Sequence, residues 1–360
     1  MVAMHNFRPA HLHALTRNVL VAAGTPNHIA DTVTGILVNA NLVGHDSHGI
    51  LRIPAYLSRI TDGALQPDAE PLILQEGPSQ VSIDGQKGFG HYLAHCGLTM
   101  AIEKAKQHDV CCVSLTNNGH IGRLGEYAEI AAQAGCIAIV TTGVGSAEGG
   151  AVVPFGGAQG RLSTNPIAVG IPTGDAIPFV LDFATSIVAE GKLQVARSKQ
   201  ADVPAGFIVD KDGNPTTRTL DFYEGGFLLP FGSHKGYALS LLVCLLGGLS
   251  GTFKAETAEM SGVFIQVINV AGFTSLENYQ QNARAFLDGM KATPPGPGFE
   301  EVLVPGDFEQ RFRQQRLKEG LEIPETIVDQ ITEWANRLDA SLGEELVQPA
   351  DVERYEKLLI

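Results

Sequence analysis

The chain is expected to fold as a mixed α/β protein with helical ends around a strand-rich middle. Three features carry this expectation. Residues 9–43 place apolar side chains at helical spacing. From about Pro71 the pattern changes to short apolar runs alternating with helix-length segments. The tail is helical again, with Pro324 at a helix start and Leu338 near its end. At 360 residues the chain exceeds what one hydrophobic core usually serves. It divides into a helical unit, residues 1–75 with 308–360, and a mixed-sheet unit, residues 76–307, with room for a smaller inserted subdomain.

The elements follow in order. Residues 9–23 form a first helix, and Gly24-Thr25-Pro26 ends it and starts a second, with Thr25 as N-cap and Pro26 at the first helical position. The second helix runs to about Val43 and stops at Gly44; the segment through Leu65 is helical too, either kinked by Pro54 or beginning there. Residues 81–85 read as a strand entering a tight turn, 95–107 as a helix, 110–116 as a strand and, beyond a polar loop, 124–134 as a helix. Residues 136–142, 179–183 and 263–270 are further strands, and 294–298 a loop or hinge. The longest uncharged run, residues 236–253, holds four glycines and follows His234-Lys235 directly. It reads as a buried helix ending at Gly247-Gly248 rather than as a membrane span.

A dinucleotide-binding Rossmann domain shows GxGxxG between a strand and a helix. Residues 143–150 follow an apolar strand, but Glu148 stands where the third glycine belongs and no helix follows. The fold is therefore expected to be non-Rossmann. These glycines form either a surface turn or a close backbone approach to a ligand.

Composition narrows the function. Lys and Arg total 25 against 39 Asp and Glu, a net charge of −14, which argues against a nucleic-acid partner. Local arginines can still hold an anionic small molecule. The five cysteines, Cys96, Cys111, Cys112, Cys136 and Cys244, show no CxxC spacing and suit a reducing cytoplasm. The N-terminus lacks the charged-then-apolar pattern of a signal peptide.

Five segments offer chemistry. The richest is residues 44–56, which hold His45, Asp46, Ser47, His48, Arg52 and Tyr56. His48, Arg52 and Tyr56 are spaced four and four, with Arg59 three further on, so a helix places them on one face, although Pro54 weakens this for Arg52. An imidazole moves protons near neutral pH, and a guanidinium fork grips a carboxylate. The second segment is residues 117–123, with His120 flanked by glycines at a strand end. The third and fourth are residues 163–166 and 182–186, with Lys192 beyond, small polar groups that suit ribose or phosphate contacts or plain turn chemistry. The fifth is residues 232–237, where His234 and Lys235 either hold a phosphate at a helix N-terminus or simply start the helix. There is no HExxH, no Cys/His ligand spacing and no acidic cluster, so no metal is expected; GxSxG is also missing, which argues against a serine hydrolase.

Taken together, GHDSHGI with Arg52 and Tyr56, NNGHIGRLGEYAE, STNPIA, DFATS with Lys192, PTT at Pro215, HKGYALS and LVPGDFE resemble one family in its own order, across nearly the whole chain. It is the second-type malate/L-lactate dehydrogenase family, NAD(P)-dependent enzymes unrelated in fold to the Rossmann lactate dehydrogenases. The ANLxGHDSHGI opening resembles the hydroxycarboxylate dehydrogenase B branch in particular. The resemblance implies a homodimer with its site near the subunit interface and a cofactor domain with its own mixed sheet. It implies that residues 1–75 with 308–360 carry the substrate pocket and dimer contacts. His120 matches the family's acid/base histidine. Ser47, His48, Arg52 and Tyr56 match its substrate pocket, with Arg52 on the substrate carboxylate and Ser47 and His48 orienting the carbonyl. Ser146, Asn165, Asp182, Phe183, Ala184, His234, Lys235, Pro305, Gly306 and Asp307 fall where the family contacts NAD or NADP. Three departures stand out: Ser163 replaces a frequent glycine, Asp307 a frequent glutamate, and Asn118-Gly119 the residues that usually precede the histidine.

The implied activity is reversible hydride transfer between NAD(P)H and the C2 carbonyl of a 2-oxo acid. The rival within enzymes is reduction of a cyclic imine carboxylate, such as a piperideine or pyrroline carboxylate. The rival outside them is a non-catalytic protein that keeps a cofactor pocket, against which the joint presence of His48, Arg52 and His120 argues.

Overall fold

The computed structural model describes residues 3–175 and 178–340. In chain order the elements are β1 (Met4–Phe7), α1 (Pro9–Ala22), α2 (Asn27–Leu42), α3 (Ile53–Thr61), β2 (Leu72–Glu76), β3 (Gln80–Asp84), α4 (Gly90–His108), β4 (Val110–Thr116), α5 (Leu124–Gln133), β5 (Cys136–Gly145), β6 (Ile167–Ile171) and β7 (Phe179–Phe183). There follow α6 (Glu190–Ser198), β8 (Ile208–Val209), β9 (Pro215–Thr216), α7 (Thr219–Tyr223), β10 (Phe227–Leu228), α8 (His234–Gly247), β11 (Met260–Asn269), α9 (Leu276–Lys291), α10 (Asp307–Glu319), β12 (Leu321–Pro324) and α11 (Glu325–Arg337). The expected helical tail beyond residue 340 lies outside the described residues.

The two ends of the chain meet. β1 pairs antiparallel with β12, Met4 opposite Pro324 and Phe7 opposite Leu321. Leu12, Val19, Leu20, Val33, Leu37, Ile53 and Leu57 share a core with Leu321, Ile323, Ile331 and Ala335. The helix ends here differ from expectation at one point. Thr25 does not cap α2; Pro26 occupies the N-cap position and no side chain bonds the first turn. The Thr25 N–H instead bonds the Leu20 carbonyl and the Gly24 N–H the Val21 carbonyl, so Thr25 completes the C-terminal Schellman turn of α1. α2 ends in the same way. Gly44 takes φ +86°, and the Gly44 and His45 N–H groups bond the Asn41 and Ala40 carbonyls. This turn delivers the histidine-rich segment directly from the buried helix.

The main sheet has the order β2-β3-β4-β11-β5-β6-β7. β3 and β4 run parallel, joined by the crossover helix α4; the other neighbours are antiparallel. α4 and α5 cover one face, where Val113, Leu115, Ala138, Val140, Val263, Ile265 and Val267 meet Leu93, Leu98, Tyr127 and Ala128. The parallel pairing sets Asp84 beside Thr116, so both strands end at one edge, and the loop beyond β4 carries His120. A smaller three-stranded sheet, β10-β8-β9, has its own cluster of Val152, Leu162, Val188, Leu193, Ile208 and Leu228.

α8 covers the opposite face of the main sheet, and the glycines of residues 143–150 take on a different meaning here. A Cβ at Gly143 would lie 2.7 Å from the Val243 carbonyl oxygen, and one at Gly145 would lie 3.3 Å from Cys244 Sγ. These glycines let a helix, not a ligand, approach the strand. Gly143→Ala is expected to lower stability by about 1–3 kcal/mol through overpacking, measured as a lower urea midpoint; an unchanged midpoint refutes the close contact. α8 is also less buried than its composition suggested. Ser240, Val243, Cys244 and Gly247 face the sheet, whereas Leu242 is 49% exposed and Leu245 62%. None of the helices of the described residues is long and apolar enough to cross a membrane.

Three boundaries move: α4 starts at Gly90 rather than near 95, β5 runs on to Gly145, and β11 starts at Met260. β1, β2, β6, α6, α7, α9, α10, β12 and the small sheet are additions to the expected elements.

Candidate active site

The segment after Gly44 forms two 3-10 turns, Asp46–His48 and Ile50–Arg52, before α3 begins with Pro54 at its second position. Arg52 therefore precedes the helix, and helical spacing does not place it. A hydrogen bond does: its Nε donates to the Ser47 carbonyl at 2.7 Å, leaving the two terminal guanidinium nitrogens for a partner. Asn41 on α2 clamps the turns, donating to Asp46 Oδ1 at 2.7 Å and accepting the Ile50 N–H at 2.9 Å. α10 clasps the segment from outside: Arg316 grips both Asp46 carboxylate oxygens, at 2.7 and 3.0 Å, and Glu309 meets His45 at 3.3 Å. Ser47 Oγ hydrogen-bonds to His48 Nδ1 at 3.0 Å. Gly191 of α6 stands beside Ser47, a Cβ there falling 3.3 Å from the serine Cβ.

His120 meets this segment across the fold. Tyr56 Oη and His120 Nδ1 are 2.8 Å apart. The His48 ring stacks on His120 with centroids 5.5 Å apart. A third histidine, His91 on α4, packs edge-on against both His120, at 5.7 Å, and Tyr56, at 5.6 Å. It is wholly buried and was not anticipated; in the sequence it is indistinguishable from any core histidine at a helix start.

The electrostatics are shared. Burial, then the Arg52 cation, lowers His48 to about 4. Burial, then His48 and Arg52, lowers His91 to about 3. Burial of the ring, then the charges of His91, His48, Arg52 and Arg59, drives His120 well below the ordinary histidine range, although part of the residue stays accessible to solvent. Burial pushes the Tyr56 phenol above its ordinary value. At neutral pH the unliganded site thus holds neutral imidazoles, a protonated phenol and free guanidinium groups. Through its hydroxyl, Tyr56 serves His120 Nδ1 as acceptor or donor and leaves Nε2 to exchange a proton with a substrate.

A buried ion network supports the loop from below. Arg123 is 2% exposed and faces Glu129 at 3.6 Å, Glu126 at 3.7 Å and Asp182 at 3.9 Å. Arg313 of α10 binds both Glu129 oxygens, at 2.7 and 3.1 Å, and reaches Asn39 at 3.2 Å. The single signal for it in the sequence was the arginine closing the His120 loop.

The other expected residues fall into two groups. Asn165, Asp182 and Asp307 spend their side chains within the fold. Asn165 donates to Ser240 Oγ at 2.9 Å and Cys244 Sγ at 3.1 Å, and accepts the Val144 N–H at 2.9 Å. Asp182 accepts the Gly125 N–H at 2.7 Å at the start of α5, and Asp307 accepts from Val304 N and Lys291 Nζ, each at 3.0 Å. Pro305 and Gly306 lead into α10, with Gly306 in the left-handed conformation. Ser146 Oγ donates to the Thr257 carbonyl at 3.3 Å. His234 and Lys235 are exposed on the first turn of α8. Phe155 packs edge-on His234 at 5.9 Å, and Phe183, next to Ala184, on Phe231 at 5.5 Å. The loop after β5, the end of β7 and the start of α8 thus form one exposed aromatic and cationic face. It fits an anionic, ring-bearing group such as a dinucleotide. Among the described residues no three His, Cys, Asp or Glu side chains converge as metal ligands.

Comparison with known proteins adds four likenesses. The sequence profile described as malate/L-lactate dehydrogenase matches residues 7–332. The hydroxycarboxylate dehydrogenase B of Escherichia coli strain K12 is 37% identical over 334 residues, 90% of this chain and 91% of that protein. Among solved structures, malate dehydrogenase from Entamoeba histolytica superposes with a TM-score of 0.87 at 30% identity, over 94% of this chain and 99% of that one. The delta1-piperideine-2-carboxylate reductase from Pseudomonas syringae pvar. tomato gives a TM-score of 0.81 at 31% identity, over 92% of this chain and 100% of that one.

Proposed function

The chain belongs to the malate/L-lactate dehydrogenase family, and from that premise we propose that it is an NAD(P)-dependent 2-hydroxycarboxylate dehydrogenase that interconverts a 2-oxo acid and its 2-hydroxy acid. The observation that carries the reading is the joining of Tyr56, His120, His48 and Arg52 in one place from two distant segments.

When bound, a nicotinamide cofactor would supply or accept the hydride at C2. Arg52 holds the substrate carboxylate through its free terminal nitrogens. Ser47 and His48 orient the carbonyl. His120 gives a proton from Nε2 to the forming alkoxide, or takes one from the hydroxyl in the reverse direction, with Tyr56 steadying Nδ1. The exposed face around His234, Lys235 and Phe183 is proposed to hold the cofactor. The exposed leucines of α8 are proposed as part of a homodimer contact, an apolar surface too large to favour water. Five unpaired cysteines suit a reducing compartment such as the cytoplasm.

The cations that lower His120 also time its proton. A carboxylate on Arg52 neutralises part of their field, so His120 takes up a proton with the substrate rather than before it. The sign follows. Because the free enzyme's His120 lies below the ordinary histidine value of 6.5, it is already a base across pH 5–8. With saturating cofactor, kcat/KM for hydroxy-acid oxidation should show no acid limb near pH 6.5. For 2-oxo acid reduction it should fall about tenfold per pH unit over the same window. An oxidation profile with its limb at pH 6.5 refutes this account.

The likeness to a piperideine carboxylate reductase favours a second reading, reduction of a cyclic imine that carries the same carboxylate. Rates with pyruvate, oxaloacetate, phenylpyruvate and a cyclic imine, each with NADH and NADPH, test both readings and settle the cofactor. Turnover of the imine with none of the oxo acids overturns the first.

A further inference from the structure

Ser47, His48 and Arg52 stand on two 3-10 turns, a tight backbone with poor hydrogen-bond geometry of its own. Their positions depend on one another. The Ser47 carbonyl receives Arg52 Nε at 2.7 Å, and Ser47 Oγ meets His48 Nδ1 at 3.0 Å. The residue before them, Asp46, is the handle by which the first turn is held. Its two carboxylate oxygens accept from Arg316 of α10, at 2.7 and 3.0 Å. Asp46 Oδ1 also accepts from Asn41 Nδ2 at 2.7 Å, and Asn41 Oδ1 takes the Ile50 N–H of the second turn at 2.9 Å. Arg316 is fixed as well. It donates to the Asn41 carbonyl at the C-terminal end of α2, where a cation is favoured, and its Cζ lies 5.3 Å from the Phe312 ring centroid. Phe312 in turn abuts Gly44, where a Cβ would fall 2.8 Å from the ring. A second arginine of α10 makes a bidentate pair elsewhere: Arg311 binds Glu301 at 2.6 and 2.7 Å, exposed to solvent.

We propose that Arg316 is a positioning residue: it holds Asp46 so that the turn presents Arg52, through the Ser47 carbonyl, at the angle that grips the substrate carboxylate. This rests on the hydroxycarboxylate dehydrogenase reading above. The contacts run from Arg316 through Asp46 to Ser47 and Arg52, whereas His120 is held on another path, by Tyr56 at 2.8 Å. Without Arg316 the Asp46 carboxylate keeps the Asn41 bond, which fixes one oxygen and lets the turn rotate about it. A bidentate grip tolerates little rotation of either partner. The loss therefore falls mainly on carboxylate binding, which raises KM and leaves kcat nearly in place.

The test measures kcat and KM for the fastest of pyruvate, oxaloacetate and phenylpyruvate, and the inhibition constant of oxamate, a non-reducible 2-oxo acid analogue. The proteins are the wild type, Arg316→Gln, Arg316→Lys, Asp46→Asn, the double variant Asp46→Asn with Arg316→Gln, and Arg311→Gln. In Arg316→Gln both KM and the oxamate constant should rise about 5–30-fold, between the worth of an exposed ion pair and that of a charge-assisted hydrogen bond, with kcat within about threefold of wild type. Arg316→Lys should recover part of the loss, since the charge remains and the fork is lost. The double variant should be no worse than either single one, the mark of one shared interaction. Arg311→Gln should leave both constants within about twofold of wild type, although it removes a similar pair from the same helix. Constants in Arg316→Gln within about twofold of wild type, an equal rise in Arg311→Gln, or additive losses in the double variant overturn this inference alone. A wild type that reduces none of the three oxo acids with either cofactor overturns the underlying reading and this inference with it.

Discussion

His120→Ala should lower turnover by about 10²–10⁴-fold, the usual contribution of a positioned general acid. The size of the effect follows from the site's construction. His91 and His48 stand 5.7 and 5.5 Å from His120 between ring centroids, and both are lowered to about 3 and about 4. His91 is wholly buried and His48 is held by Ser47, and neither shares the Tyr56 bond that steadies His120. The Tyr56 phenol holds its proton too firmly to replace an imidazolium. The alanine variant should keep its affinity for the cofactor and for a carboxylate inhibitor, because Arg52 is anchored by the Ser47 carbonyl rather than by His120. Single-turnover hydride transfer with saturating cofactor is the measurement. Turnover near wild type removes His120 from the proton path.

Glu129→Ala should cost about 3–5 kcal/mol, the penalty for stripping one partner from a buried ion pair. Glu129 is 4% exposed and serves two arginines, Arg313 through both oxygens and Arg123 at 3.6 Å. Its loss leaves Arg313 with the Asn39 side chain at 3.2 Å and Arg123 with weaker partners. The carboxylates in this cluster already strain against each other. Burial and then the charge of Glu129 raise Glu126 to about 7. The alanine variant should therefore also bring Glu126 down toward its ordinary value. Urea unfolding at pH 7.5 reads the loss. Glu333→Ala breaks an exposed pair with Arg337 and should move stability by no more than about 0.5 kcal/mol. Equal effects for the two variants would mean that the buried network contributes no more than a surface pair.

Both predictions rest on residues of unequal visibility in the sequence. His120 could be singled out because two asparagines, two glycines and an arginine crowd one loop after an apolar strand. Tyr56 and Arg52 could be singled out by chemistry, although the helix proposed to align them starts only after Arg52. Glu129 could not: on α5 it is one of two glutamates three positions apart, and its two arginines come from residues 123 and 313. His91 was equally silent, since burial against another histidine leaves no mark on its own neighbours in the chain.

The boundary between the two kinds of knowledge follows the range of the forces. Local propensity and periodicity are written into neighbouring residues, so the sequence alone determined Val110–Thr116 and Phe179–Phe183 as strands and Glu325–Arg337 as a helix. Motif chemistry, also local, determined the family and the residues worth testing. Tertiary structure decided everything that needs two distant segments. It set the sheet order and the pairing of β1 with β12. It assigned Gly143 to the packing of α8 rather than to a ligand. It brought Tyr56 within 2.8 Å of His120 across 64 positions of chain. Proton affinity belongs to that second class as well. A histidine's charge state is set by desolvation and by the cations around it, and at His120 those come from α3, α4 and the turn before them.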